Sequence, residues 1–234
     1  KLAALIEESF ARGQLPSQLL EGDVSLLYKK GDRDEVRNYR PLTMLQTAYK
    51  IYTRILTRRM RGVVHQIICE SQKGFVPDTF IADCTMLVNL IEAYVNEDDI
   101  NEPDKHGVLL FLDMEKAFDR CSWDFMLTGM ARMGFGPKFT RMVKMMYDSD
   151  RPPTRRIYAN GYYSSSFTVN SGVAQGCPLS PLLFLVIAQG LAVTMELSGI
   201  EGIKVKSRRY LLSQFADDTT LMLRNWCSIL PHPK

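Results

Sequence analysis

Apolar residues recur at helical spacing over Leu2–Phe10, which predicts an amphipathic helix stopping near Gly13 and Pro16. Val24–Tyr28 reads as a short strand, and Lys29–Pro41 as a polar, basic loop turning at Gly31. The clearest helix is predicted over Thr43–Arg61, with Thr43 as its N-cap. Leu45, Ala48, Tyr52, Ile55 and Leu56 fall on one side of it. Lys50, Arg54, Arg58 and Arg61 fall within about 80° of one another on the opposite side, a face for water or phosphates. Arg59 breaks the separation, and its stem is expected to snorkel.

Phe80–Val95 reads as a second helix and Asn96–Lys105 as an acidic loop. Val108–Leu112 is a short unbroken apolar run, which suits a strand buried on both faces. Ser122 can cap a helix ending before Gly134, and Pro137 opens the next. Ile157–Asn160 and Ser166–Val169 are expected to pair as a hairpin across Gly161–Ser165. Val169–Met195 carries no charge, but its glutamines, glycine and prolines point to a buried loop and helix rather than a membrane span. Tyr210–Leu223 has apolar flanks on both sides of Ala216-Asp217-Asp218.

The 234 residues are 46% hydrophobic and 24% charged, which excludes a disordered chain, a collagen and a mucin-like stalk. The net charge is only +3, yet Lys29–Lys73 holds eleven basic and four acidic residues, a local +7. Such a segment is either a polyanion-binding surface or a solvated helix face. Five cysteines, with no CxxC pair, argue against disulfides and a zinc site and suit a reducing compartment. No targeting signal is visible, and a start at Lys1 suggests a fragment.

Three carboxylates carry candidate chemistry. Asp113 directly follows the apolar run, and Asp217 and Asp218 sit at a bend between apolar stretches. Acids so placed are costly to desolvate without a cation, and Mg²⁺ accepts carboxylate oxygens while leaving room for substrate phosphates. Two such ions about 3.5–4 Å apart can clamp the attacking and leaving oxygens of a phosphoryl transfer. An Asp-Asp pair is also common in solvated turns, and these residues alone leave both readings open.

The surrounding blocks carry a resemblance. Phe111-Leu112-Asp113-Met114-Glu115-Lys116-Ala117-Phe118-Asp119 resembles motif A of reverse transcriptases, Ser171–Pro181 resembles motif B, and Phe215-Ala216-Asp217-Asp218 resembles motif C in its FADD form. Asn38–Thr43 with Tyr49-Lys50-Ile51 is similar to the fingers block, and Gln72-Lys73-Gly74-Phe75-Val76-Pro77 to the block after it. Five blocks in order are specific. The FADD form and Gln175–Pro181 resemble non-LTR (LINE-type) retrotransposons, with group II intron enzymes as the next relatives.

The resemblance implies an α+β right-hand polymerase fold: fingers and N-terminal region over 1–107, palm over 108–225, an unmatched tail over 226–234, and no thumb. The implied palm is a small antiparallel sheet backed by helices. The implied activity is RNA-directed DNA polymerase, using an RNA template, a DNA primer, deoxynucleoside triphosphates and two Mg²⁺ ions, for which Mn²⁺ can substitute. Asp113, Asp217 and Asp218 are the implied catalytic and metal-binding residues, joined by the Met114 carbonyl. Lys29 and Arg40 are implied to hold the triphosphate, Phe118 to exclude a ribose 2′-hydroxyl, and Gln175 and Gly176 to lie beside the nascent base pair. Lys50, Arg54, Arg58 and Arg61 gain a use along the template–primer backbone.

An intracellular place, nucleus or cytoplasm, is expected from the family, with no membrane partner. Ala174, Asp78-Thr79 and Leu185 depart from the residues usual at their positions. The early stop suggests a truncated element, whose alternative reading is an inactive remnant that at most binds nucleic acid. A different Mg²⁺-dependent phosphoryl-transfer enzyme would leave the fingers and motif B blocks unexplained.

Overall fold

The computed structural model describes residues 1–97, 106–147 and 150–226. The expected acidic loop from residue 98 onward lies outside them, as do Cys227 and the tail that follows it. In chain order the helices are α1 (Leu2–Arg12), α2 (Ser17–Leu20), α3 (Thr47–Arg61), α4 (Val64–Ile67), α5 (Ile81–Asn96), α6 (Trp123–Arg132), α7 (Pro137–Lys144) and α8 (Ser180–Leu197). The strands are β1 (Glu21–Tyr28), β2 (Tyr39–Leu45), β3 (Val108–Leu112), β4 (Thr154–Ala159), β5 (Tyr162–Tyr163), β6 (Phe167–Thr168), β7 (Ile203–Val205), β8 (Arg208–Tyr210), β9 (Leu212–Phe215) and β10 (Asp218–Leu223). Contacts divide the chain into two compact units, Lys1–Gly62 with Lys116–Phe184 and Val63–Glu115 with Leu185–Lys234. These units follow contacts, whereas the boundaries at 107 and 225 follow the motifs.

The first unit holds a five-stranded sheet ordered β2-β1-β4-β5, with β6 also on β4. β1 pairs antiparallel with β2 and parallel with β4. Thr43 is therefore a strand residue opposite Val24, not a helix cap, and the loop expected up to Pro41 is already strand from Tyr39. Cross-strand pairing outweighs the local cap signal there, and α3 begins only after Gln46. The buried face of α3 is Tyr49, Tyr52, Thr53, Leu56 and Met60, at helical spacing. Ile55, expected in the core, is 49% exposed, and Leu45 is buried from β2 rather than from the helix. The Tyr52 hydroxyl donates to the Met142 carbonyl at 2.8 Å, tying α3 to α7.

Ser122 caps α6 as expected, its Oγ accepting from the Phe125 N–H at 3.3 Å, and Pro137 opens α7. The expected hairpin is tighter than the pattern suggested. Tyr158 pairs with Tyr163 and Ala159 with Tyr162, so only Asn160-Gly161 turns. Phe167 and Thr168 return separately to Arg155 and Thr154.

The second unit is built on the antiparallel sheet β3-β10-β9, the small palm-like sheet that was expected. Its residues alternate between two helices. Leu221 and Leu223, with Val108, Leu110 and Leu112, pack toward Ala192 and Met195 of α8. Met222, with Leu109, packs toward Ile91, Leu87 and Val95 of α5. Helices on both faces explain the unbroken apolar run of β3. The strand is nonetheless only half-buried, and Phe111 is 68% exposed. α8 is long and apolar enough to cross a bilayer by length and composition, with a mean hydropathy of 1.6, and Leu182–Val186, Ala188 and Ala192 are buried within the fold.

Candidate active site

In the second unit the carboxylates gather at one end of the sheet. The last β3–β10 pair is Leu112 with Thr219, so one further step of this register sets Asp113 opposite Asp218. Neighbouring strands lie about 4.7–4.9 Å apart, which brings the two carboxylates within reach of one cation. Phe215 pairs with Asp218, leaving Ala216 and Asp217 as a two-residue turn. Asp113 and Asp218 are exposed and Asp217 is half-buried, and Met114 follows Asp113 directly, so its carbonyl lies at the same edge.

Ala216 adopts φ +58°, a conformation uncommon for a residue with a side chain. What holds it is the segment Ser71–Gly74. The Ala216 N–H donates to Gln72 Oε1 at 2.9 Å, Gln72 Nε2 donates to the Ala216 carbonyl at 3.1 Å, and the Gly74 N–H donates to the same Oε1 at 2.7 Å. The Lys73 N–H donates to the Gln214 carbonyl and the Gln214 N–H to the Ser71 carbonyl, extending the pairing along β9. A Cβ on Gly74 would stand 2.0 Å from the Ala216 nitrogen, so glycine is required there by close approach. Gln214, wholly buried, donates through Nε2 to Thr219 Oγ1 across the hairpin at 3.2 Å.

The remaining candidates belong to the first unit. Arg40 pairs with Leu27, and the Lys29 N–H donates to the Asn38 carbonyl at 2.9 Å. That register puts Lys29 and Arg40 on one face of the β1–β2 ladder. Both are exposed, and among the described residues neither meets a carboxylate. Phe118 is half-buried and stacks on Phe184, with centroids 5.1 Å apart and planes at 10°. The Thr43 N–H donates to the Gln175 carbonyl at 2.7 Å, and Gly176 adopts φ +122° against the Thr43 carbonyl. Motif B is also bound to the end of motif A and the turn that follows it. The Val173 N–H donates to the Phe118 carbonyl, the Gly172 N–H to the Cys121 carbonyl, and Ser171 Oγ to the Asp119 carbonyl.

Burial raises the Asp119 carboxyl above its usual range, while a hydrogen bond with Gln175 and the charge of Lys116 lower it. Burial, with Asp119 nearby, pushes the Cys121 thiol up to about 12, so it is inert at neutral pH. On α3, Arg54, Arg58 and Arg61 are exposed and Lys50 is half-buried.

No feature of the chain by itself gives Gln72, Gly74, Gln214 or Asp119 a role. Gln72 and Gly74 lie in a block already singled out by resemblance, but nothing along the chain shows which backbone they reach.

The donor set suits a hard divalent cation, because it consists of carboxylate oxygens at an accessible sheet edge. Among the described residues, no three Asp, Glu, His or Cys side chains are grouped to enclose an ion.

Acids from two distant segments at one end of an antiparallel sheet backed by helices are an arrangement able to hold divalent ions for phosphoryl transfer. Residues 28–232 match the family described as reverse transcriptase (RNA-dependent DNA polymerase), and the chain belongs to that family. It is 31% identical over 94% of its length to a 149 kDa protein of transposon TX1 from Xenopus laevis, covering 16% of that protein. It is 26% identical over 92% of its length to the Pol polyprotein of the type-1 retrotransposable element R2 from Popillia japonica, covering 29% of it. It is also 26% identical over 96% of its length to the RNA-directed DNA polymerase of the mobile element jockey from Drosophila melanogaster, covering 23% of it. These are non-LTR, LINE-type relatives, as the motif forms implied. The chain thus spans less than a third of the length of each.

The fold is shared with telomerase from Candida tropicalis, solved in complex with a telomeric RNA fragment. The TM-score is 0.57 at 12% identity, over 96% of this chain and 39% of that one. The apo telomerase truncated from its C-terminal domain gives 0.55 at 14% identity, over 97% and 49%.

Proposed function

We propose that this chain forms the fingers and palm of a retrotransposon RNA-directed DNA polymerase, and that Asp113, Asp217 and Asp218 are its catalytic carboxylates. The observation that carries this is the register of β3, β9 and β10, which sets Asp113 opposite Asp218 at one end of the sheet, with Asp217 in the adjoining turn. The reaction joins a primer 3′-oxygen to the α-phosphorus of a deoxynucleoside triphosphate. The phosphorus–oxygen bond to pyrophosphate breaks, and the hydroxyl proton passes to solvent. Divalent ions, two Mg²⁺ or Mn²⁺ in their place, held by the three carboxylates and the Met114 carbonyl, would supply charge neutralisation and a lowered 3′-hydroxyl pKa.

The chain's own residues do the rest. Arg40 offers a planar fork and Lys29 a point charge to the triphosphate. Phe118, fixed by its stack on Phe184, presents a rigid ring where a ribose 2′-hydroxyl must be excluded. The Gln175-Gly176 backbone lies against the base pair, and Lys50, Arg54, Arg58 and Arg61 follow the template–primer phosphates without reading bases. Free Cys69, Cys84, Cys121 and Cys177 support work inside the cell.

Primer extension on an RNA template with Mg²⁺ and dNTPs tests this, comparing the parent with the Asp217→Ala, Asp218→Ala double variant. Incorporation by the parent and none by the variant is expected. Incorporation by both would overturn the site assignment. Template–primer binding by both without incorporation would make this chain a binding remnant.

A further inference from the structure

The turn that presents Asp217 and Asp218 is not shaped by its own residues. Two-residue hairpins favour Asn-Gly, Asp-Gly or a leading glycine, because their backbone enters the left-handed region. Here the left-handed position is Ala216, at φ +58° and buried. Its two backbone groups are met by one side chain. Gln72 accepts from the Ala216 N–H and donates back to the Ala216 carbonyl, the pairing that a residue on a neighbouring strand would otherwise make. Gln72 is 2% exposed, and its Oε1 is shared with the Gly74 N–H, so the carboxamide cannot rotate without losing partners. Gly74 closes the same side of the turn by contact.

We infer that Gln72 is a positioning residue for catalysis: it fixes the backbone of Ala216 and thereby the direction in which Asp217 and Asp218 leave the sheet. The inference rests on the reading of those carboxylates as metal ligands. A glutamine suits the task where a glutamate does not. The turn needs a donor and an acceptor together, and a carboxylate would set a lone pair against the Ala216 carbonyl. A neutral amide also adds no further charge beside the metal-binding acids.

The test uses the 234-residue chain and its Gln72→Met and Gln72→Glu variants. One readout is amide exchange of the peptide containing Ala216, and the other is Mn²⁺ binding by electron paramagnetic resonance. Gln72→Met keeps the volume and removes every hydrogen bond. It is expected to speed exchange at Ala216 by about tenfold or more and to weaken Mn²⁺ binding by about five- to tenfold, because three backbone groups lose their partner. Template–primer affinity is expected to stay the same.

A folded Gln72→Met variant with unchanged exchange or unchanged Mn²⁺ affinity would overturn the inference. If that variant does not fold, Gln72→Glu decides. Its added negative charge would tighten Mn²⁺ if only electrostatics mattered, so weaker binding supports positioning and tighter binding overturns it. Asp217→Ala separates the two readings. Mn²⁺ binding that survives this change, or is missing from the parent, removes the assignment of the carboxylates and the inference with it.

Discussion

Gly176→Ala tests how firmly motif B is seated on the strand β2. A Cβ at this position would lie 2.4 Å from the Thr43 carbonyl oxygen, a contact that side chains do not tolerate, and that oxygen is backbone and cannot swing aside. The backbone φ of +122° also belongs to a region essentially reserved for glycine, at about 1–3 kcal/mol for any other residue. Relief of the clash requires the loop to lift away from β2. That breaks the 2.7 Å bond from the Thr43 N–H to the Gln175 carbonyl. Thr43 is buried, so its orphaned amide costs about 1–3 kcal/mol more. The total is about 2–6 kcal/mol, a large part of the roughly 5–15 kcal/mol that holds a domain folded.

Gly161→Ala is the matched control. It has φ +85° in the same unit, but nothing lies within 4 Å of the added carbon. It should show the conformational cost alone, about 1–2 kcal/mol. Trp123 is buried and donates from Nε1 to the Gly172 carbonyl at 2.8 Å, so its fluorescence follows this loop during urea unfolding. With a slope of about 2–3 kcal/mol per molar urea, the two variants should differ in midpoint by about 1 M. Equal losses in both would refute the seating of Gly176 on Thr43.

Further outcomes follow from the same structure. Asp119 is raised by burial, so the folded state holds its proton more tightly than the unfolded one. Its contribution to stability is present below the usual aspartate value and is lost as pH rises through the raised value. Asp119→Asn should therefore flatten that part of a melting-temperature profile against pH and be the more stable form at neutral pH. Replacing Lys50, Arg54, Arg58 and Arg61 by Gln should weaken RNA binding and reduce the salt slope by about 3, at roughly 0.7–0.9 per phosphate contact; an unchanged slope would take the stripe out of the interface. Ser122→Ala should cost about 1 kcal/mol in thermal unfolding through loss of the α6 cap, and no loss would deny the cap its role.

Elements that carry their own signal could be read directly from the chain. β3 needed only five apolar residues, and α6 only a serine before its first turn. Errors arose where two signals competed. Thr43 precedes a helical pattern and is β-branched, and a single chain does not show that Val24 waits across the ladder. Once β2 claims Thr43, the helix must begin later. With Leu45 belonging to the strand, the buried face of the helix is Tyr49, Tyr52, Thr53, Leu56 and Met60, and Ile55 is left outside.

The candidate site divides in the same way. Asp113, Asp217 and Asp218 stand out because acids that interrupt apolar runs need a reason, and the resemblance of their blocks, not the acids alone, favours metal binding over a solvated turn. Gln72 and Gly74 offered none, because their reason is the backbone of another block. Gln72 completes the turn of motif C, and motif B takes up the amide of Thr43 in the fingers block. The blocks look like separate signatures when read along the chain. Physically, two of them hold the backbone of another in place, which gives one reason for them to occur together. A chain that kept its three aspartates but lost Gln72 would retain every acid of the candidate site, with the turn that carries two of them released.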